Sequence, residues 1–173
     1  MPDQELDRDA TKGQGTDAII LGRRTYQVLE AFWPHALENP NLPPEMQAMA
    51  TTLNETTKLV FSKTLDNLGW KNSQLIRNFD PQEIQAMKEQ PGKDMIIIGS
   101  GSIVSQFTQH HLIDEYQFVV TPLLLGNGMP LMSGVSATTA LELKDVKGYP
   151  SGNVLLRYSR RDEAFPAESH FQR

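Results

Sequence analysis

Short apolar runs alternate with segments of helical spacing through the first two thirds of the chain, and strand-like runs alone fill the rest. Ala18 to Leu21 is a β-favouring run ending at Gly22, after which Tyr26, Leu29 and Phe32 recur at helical intervals over Thr25 to Phe32. The order predicts strand, turn, helix. Pro34 to Pro44 is rich in Pro and Asn and predicts a loop, and Met46, Met49 and Leu53 then predict a helix over Glu45 to Leu53. Leu59 to Phe61 reads as a second strand. Ser62 to Ser73 is a polar connection containing the turn Asp66, Asn67, Leu68, Gly69, and a brief third strand follows near Leu75 to Arg77. Asp80 stands directly before Pro81 as a helix cap, its carboxylate able to accept the free amides of the first turn. Ile84 and Met87 give that helix an apolar edge, and Pro91 and Gly92 end it.

Met95 to Ile98 is a buried-strand run, followed by Gly99, Ser100, Gly101, Ser102 and then by Ile103, Val104 and Phe107 on one helical face. Tyr116 to Leu125 predicts a long apolar strand and Gly126, Asn127, Gly128 a turn. Leu141 to Val146 alternates with charged neighbours, and Gly152 and Asn153 precede a last strand over Val154 to Tyr158. Residues 160–173 read as a solvated tail, and Met1 to Gly15 as a polar, acidic start without a secretory signal pattern. Strands alternating with helices, then strands alone, predict an α/β fold whose sheet is mainly parallel with antiparallel strands at its C-terminal end. In such a sheet the strand-to-helix turns gather along one edge, where each new helix presents unpaired amides with partial positive charge.

Composition narrows the chemistry. The chain has 173 residues, 39% of them hydrophobic and 21% charged, which suits one folded domain rather than a disordered or collagenous chain. Sixteen Lys and Arg against twenty-one Asp and Glu leave a net charge of −5, a balance that speaks against a surface built for nucleic acid. The absence of cysteine excludes disulfides, thiolate metal sites and a cysteine nucleophile. The apolar runs fall short of the roughly 18 residues that a membrane span needs. A soluble, cytoplasmic protein without a membrane partner is the expectation. His35, His110, His111 and His170 lack metal-site spacing, no serine sits in a nucleophile elbow, and Asp114 and Glu115 precede a strand as neighbours that point to opposite faces. No metal is expected.

Two turns remain as candidates. In Gly22, Arg23, Arg24, Thr25 the glycine permits close backbone approach, the arginines offer forked donors and Thr25 adds a hydroxyl beside the helix amides. In Gly99, Ser100, Gly101, Ser102 the small residues open a helix start to an anion. The plainer alternatives are a solvated arginine pair and a simple tight turn. A dinucleotide fingerprint of the Rossmann type fails, because Val104 occupies the place of its last glycine. Trp33, after Phe32, is either core or the wall of a substrate cavity.

The run Ile19 to Tyr26, with Phe32, Trp33 and Pro34, then Lys58 to Leu65, Gly92 to Asp94 leading into Gly99 to Ser102, Leu112 to Tyr116 and Pro122 to Gly128, has a familiar order and spacing. It resembles the dihydrofolate reductase superfamily, and more closely the bacterial reductases related to the C-terminal reductase domain of riboflavin biosynthesis, over about residues 3 to 159. The resemblance implies one dihydrofolate-reductase-like α/β/α domain over residues 1–159 and NADPH as cofactor. It implies that Gly22, Arg23, Arg24 and Thr25 contact phosphates, that Ser62, Lys63 and Thr64 lie by the adenosine and its 2′-phosphate, and that Gly99, Ser100, Gly101, Ser102 and Ile103 lie under the pyrophosphate. Relatives open with a strand and a Ser-Leu-Asp-Gly-like loop beside the nicotinamide, and nothing of that kind precedes Asp17. The implied domain therefore lacks its usual first strand, and a homodimer is expected to cover the edge. The implied activity is hydride transfer from NADPH to a small pteridine- or pyrimidine-like heterocycle; the alternative is a non-catalytic nucleotide-binding or assembly protein.

Overall fold

The computed structural model describes residues 4–10, 15–132, 134–136 and 138–161. The chain divides into two compact units, residues 13–106 and residues 1–12 with 107–173.

The first unit is built on four parallel strands, β1 (Thr16–Gly22), β2 (Thr57–Phe61), β3 (Ser73–Ile76) and β4 (Asp94–Ile97), in the order β3-β2-β1-β4. β1 is central, and its residues Ile19 to Gly22 are buried, as expected for a parallel strand covered on both faces. Helix α2 (Arg23–Glu30) follows β1, α3 (Pro44–Glu55) leads into β2, and α4 (Pro81–Lys88) lies between β3 and β4. Ile19, Leu21, Tyr26, Leu53, Val60 and Trp70 form the main core. Its aromatic polar groups are paired. Tyr26 donates to Glu30 Oε1 at 2.7 Å and accepts from the Trp70 amide at 3.1 Å, and Trp70 Nε1 donates to Asn54 Oδ1 at 2.6 Å.

The second unit carries three antiparallel strands, β5 (Glu115–Val120), β6 (Leu141–Gly148) and β7 (Val154–Arg160), in the order β5-β7-β6. Helix α1 (Gln4–Ala10) places Leu6 against Tyr149 and Leu155, and Lys147 Nζ reaches Glu5 Oε1 at 2.8 Å and Asp9 Oδ2 at 2.5 Å. Helix α5 (Gly101–Gln109) spans the division between the units.

Parallel and antiparallel strands are both present in an α/β fold, as the pattern predicts, but they form two separately hydrogen-bonded sheets. Three local expectations change. The start of the stretch Pro34 to Pro44, read as loop, belongs to a 3-10 helix (Trp33–Glu38), because Pro34 falls in its first turn, where its fixed φ suits a helix and its missing N–H costs nothing. The run Tyr116 to Leu125 is strand only as far as Val120, since Pro122 has no amide to donate to a ladder. β7 runs through Arg160, paired with Leu141, so the first residue of the expected tail belongs to the sheet, while residues 162–173 lie outside the described residues. Among the described residues no helix is long and apolar enough to cross a membrane, and no group of three or more His, Cys, Asp or Glu could hold a metal ion.

Candidate active site

Because β2, β1 and β4 are parallel neighbours, their carboxyl ends finish along one edge. Gly22 pairs with Phe61 and Ile20 with Ile97, and the Ile98 amide donates to the Ile20 carbonyl at 3.2 Å. The three predicted segments, Gly22 to Thr25, Ser62 to Thr64 and Gly99 to Ile103, are thereby brought to the same edge. Two of them touch. A Cβ on Gly22 would lie 2.4 Å from Ser100 Oγ and 3.2 Å from Ile103 Cγ1, so only glycine lets the two turns pack this closely. A Cβ on Gly99 would stand 3.7 Å from Thr25 Oγ1.

The start of α2 has an unusual charge arrangement. Its N-cap is Gly22, with no side-chain cap and no acidic residue in the first turn, and its first two residues are Arg23 and Arg24. Both arginines are exposed, and neither pairs with a carboxylate among the described residues. A helix N-terminus already carries about half a positive charge. Two guanidinium groups added there repel it, and an anion would relieve the arrangement. The start of α5 also lacks an acidic residue in its first turn. There Gly99 and Ser100 both adopt left-handed backbone, with φ of 65° and 62°, and Ser100 Oγ lies 3.1 Å from Ser102 Oγ. Left-handed backbone costs serine of the order of 1–2 kcal/mol. Pattern reading singled out this turn for its small residues but had no signal for the strain at Ser100.

After β2, Ser62 Oγ accepts from the amides of Thr64 and Leu65 at 3.2 and 3.0 Å, which fixes the turn and leaves Lys63 exposed, without a partner among the described residues. Phe79, which pattern reading passed over, sets its ring 6.2 Å from that of Phe61 beside this turn. Trp33 is partly buried and packs against both the main core and a second cluster of Ala36, Leu42 and Ala50.

Near the opposite ends of the strands, Lys58 is wholly buried. Its ammonium donates to the carbonyls of Leu53 and Thr56 at 2.7 and 2.8 Å and sits 4.5 Å from the Trp70 ring centre. Burial, with Lys71 nearby, lowers its pKa from the usual 10.5 to about 8.

This strand-edge arrangement lies within the 10–155 stretch that matches the model of the RibD C-terminal domain. The chain belongs to the RibD C-terminal domain family. Among curated proteins it is 27% identical over 142 residues to the uncharacterized protein YyaP of Bacillus subtilis, covering 82% of this chain and 73% of YyaP. A pyrimidine reductase-like protein from Corynebacterium diphtheriae shares the fold at TM-score 0.58 and 18% identity, over 86% of this chain and 77% of its own. Dihydrofolate reductase from Enterococcus faecalis, solved with NADP(H), does so at TM-score 0.54 and 14% identity, over 91% and 82%. At these identities the structures establish a dihydrofolate-reductase-like fold for this RibD C-terminal family member.

Proposed function

We propose that this chain binds NADPH along the carboxyl edge of the parallel sheet and directs its hydride to a small pteridine- or pyrimidine-like heterocycle. The observation that carries the reading is the first turn of α2, where Arg23 and Arg24 crowd an uncapped helix start. In this assignment Arg23, Arg24, Thr25 and the free amides of α2 hold phosphate through charge-assisted bonds. The turn Gly99 to Ile103 lies under the pyrophosphate, with Gly22 giving Ser100 the room to face it. Lys63, with Ser62 and Thr64, meets the 2′-phosphate, and Phe79 offers an apolar face to the adenine. Bound NADPH supplies the hydride; the protein's part is orientation and exclusion of water, with no side chain acting as nucleophile. The solved relatives with a reductase name and with NADP(H) bound support this reading.

A second reading, nucleotide binding without turnover, draws support from Trp33. The one side chain expected to meet substrate packs between two core clusters. Titration of the protein with NADPH and NADH, followed by the emission of Trp33 and Trp70, tests the first step. Micromolar NADPH binding well above that of NADH is expected, and equal or absent binding overturns the assignment. Oxidation of NADPH at 340 nm across a panel of pteridines and pyrimidines separates the two readings.

A further inference from the structure

Helix α2 carries its charges against its own dipole at both ends. Arginines occupy its positive start, and at its negative end, where a basic residue would be favourable, the last residue is Glu30. An anion at the helix start accounts for the arginines; Glu30 needs a separate account. Its Oε1 accepts from the Tyr26 hydroxyl and from the Gly69 amide, both at 2.7 Å, and the same Tyr26 hydroxyl accepts from the Trp70 amide at 3.1 Å. A carboxylate set against the helix dipole is thus engaged in holding two successive amides of another segment.

That segment is the crossover from β2 to β3. Parallel neighbours are usually joined through a helix, but residues 62–72 contain none, so side chains must fix their path. Leu65 and Leu68 pack against the main core, and Glu30 and Tyr26 take the amides that follow. Because β2 and β3 are parallel, the crossover sets out from the carboxyl edge of the sheet and returns toward the amino edge. Helix α2, directly after β1, sets out from the same edge. The first residues of the one carry Arg23 and Arg24 and those of the other Lys63, and the two segments meet again at Glu30. A contact at that far end fixes the angle between them, and with it the spacing of the cations at the near end.

We propose that Glu30 is a positioning residue: it holds the Lys63 turn at the distance from α2 at which one nucleotide sets its pyrophosphate at the arginines and its 2′-phosphate at Lys63. The inference rests on the nucleotide reading above and adds the residue that enforces the preference for the 2′-phosphorylated form.

Three variants test it. Glu30→Ala removes the acceptor and Glu30→Gln keeps one. Gly69→Ala breaks the contact from the crossover side: a Cβ there would stand 2.9 Å from Glu30 Oε1, the mobile end of a side chain, and the φ of Gly69 is not positive, so the carboxylate swings away and the fold survives. In calorimetric titrations the two alanine variants should bind NADPH about 10-fold more weakly with NADH changed less than about 2-fold, and Glu30→Gln should recover most of the preference. A role in stability alone would weaken both nucleotides together; that outcome, or an unchanged preference in the alanine variants, overturns the proposal. Trypsin cleavage of the free protein gives a readout without nucleotide. Cleavage after the exposed Lys63 should be about 5-fold faster in Glu30→Ala, relative to cleavage after Lys88 on α4, and an unchanged ratio also overturns the proposal. A wild-type chain that binds NADPH no better than NADH overturns the nucleotide reading and the part of Glu30 in it, and the cleavage ratio tells that failure apart from failure of the contact.

Discussion

The two sheets differ in what they leave unbalanced. The parallel sheet buries the apolar residues of its main core within its own unit and pairs the polar groups of Tyr26, Asn54, Lys58 and Trp70 among them. What it leaves over is charge: Arg23, Arg24 and Lys63 collect at one edge, beside a helix start that no carboxylate caps. The antiparallel sheet does the reverse. Lys147 is engaged with Glu5 and Asp9 and Arg157 with Asp145, while Val119, Val120, Leu143 and Val146 are left half exposed. Surplus cations select a small, multiply charged anion, whereas surplus apolar area selects a macromolecular surface. The contrast between α2 and α4 sharpens the point within one unit. Asp80 Oδ1 accepts from the Gln82 and Glu83 amides at 2.8 and 3.4 Å, so α4 is capped by its own chain and α2 is not.

The strongest disruption of this contrast should come from Gly22→Val. The new side chain would collide with Ser100 and Ile103, and urea unfolding should show a loss of about 2–3 kcal/mol, with NADPH binding abolished. Next in size, Arg23→Ala with Arg24→Ala should weaken NADPH binding by roughly 1.5–3 kcal/mol in calorimetry. The same pair should raise the melting temperature of the free protein, because it removes repulsion worth about 0.3–1 kcal/mol at the helix start. An unchanged affinity would detach the arginines from the site. Asp80→Ala should invert that pattern, lowering stability by about 1 kcal/mol with nucleotide binding intact.

A pH dependence separates the parallel unit's interior from its edge. Lys58 titrates near 8 when folded and near 10.5 when unfolded, so between these values the unfolded chain binds more protons. The contribution of Lys58 to stability therefore rises with pH across that window. A stability profile for Lys58→Met that keeps the full wild-type slope between pH 8 and 10.5 would remove Lys58 as its source.

Legibility in the sequence followed locality. The units β1–turn–α2 and β4–turn–α5 could be read because apolar spacing and glycine lie within a few residues of each other, and the Asp80 cap because Asp-Pro is a local signal. Helix α1 could not, since Leu6 is its only large apolar residue and its anchors, Tyr149, Leu155 and Lys147, lie far along the chain. The separation into two sheets was hidden for the same reason: an apolar run announces a strand but not its neighbour. At the site, residue types pointed to the turns, whereas the left-handed Ser100 and the close approach of Gly22 to it depend on how β1 and β4 pair.

The burial of Lys58 also turns it into a gauge of breathing. Exposed lysines react with an acylating reagent at once, but an amine wrapped by the carbonyls that end α3 and by the Trp70 ring reacts only when that corner opens. The slow phase of acylation, assigned to Lys58 by mass spectrometry, would then count openings of the parallel unit in the native ensemble. Its slowing on addition of nucleotide would report, from the far end of the strands, whether an anion at the carboxyl edge steadies the whole sheet.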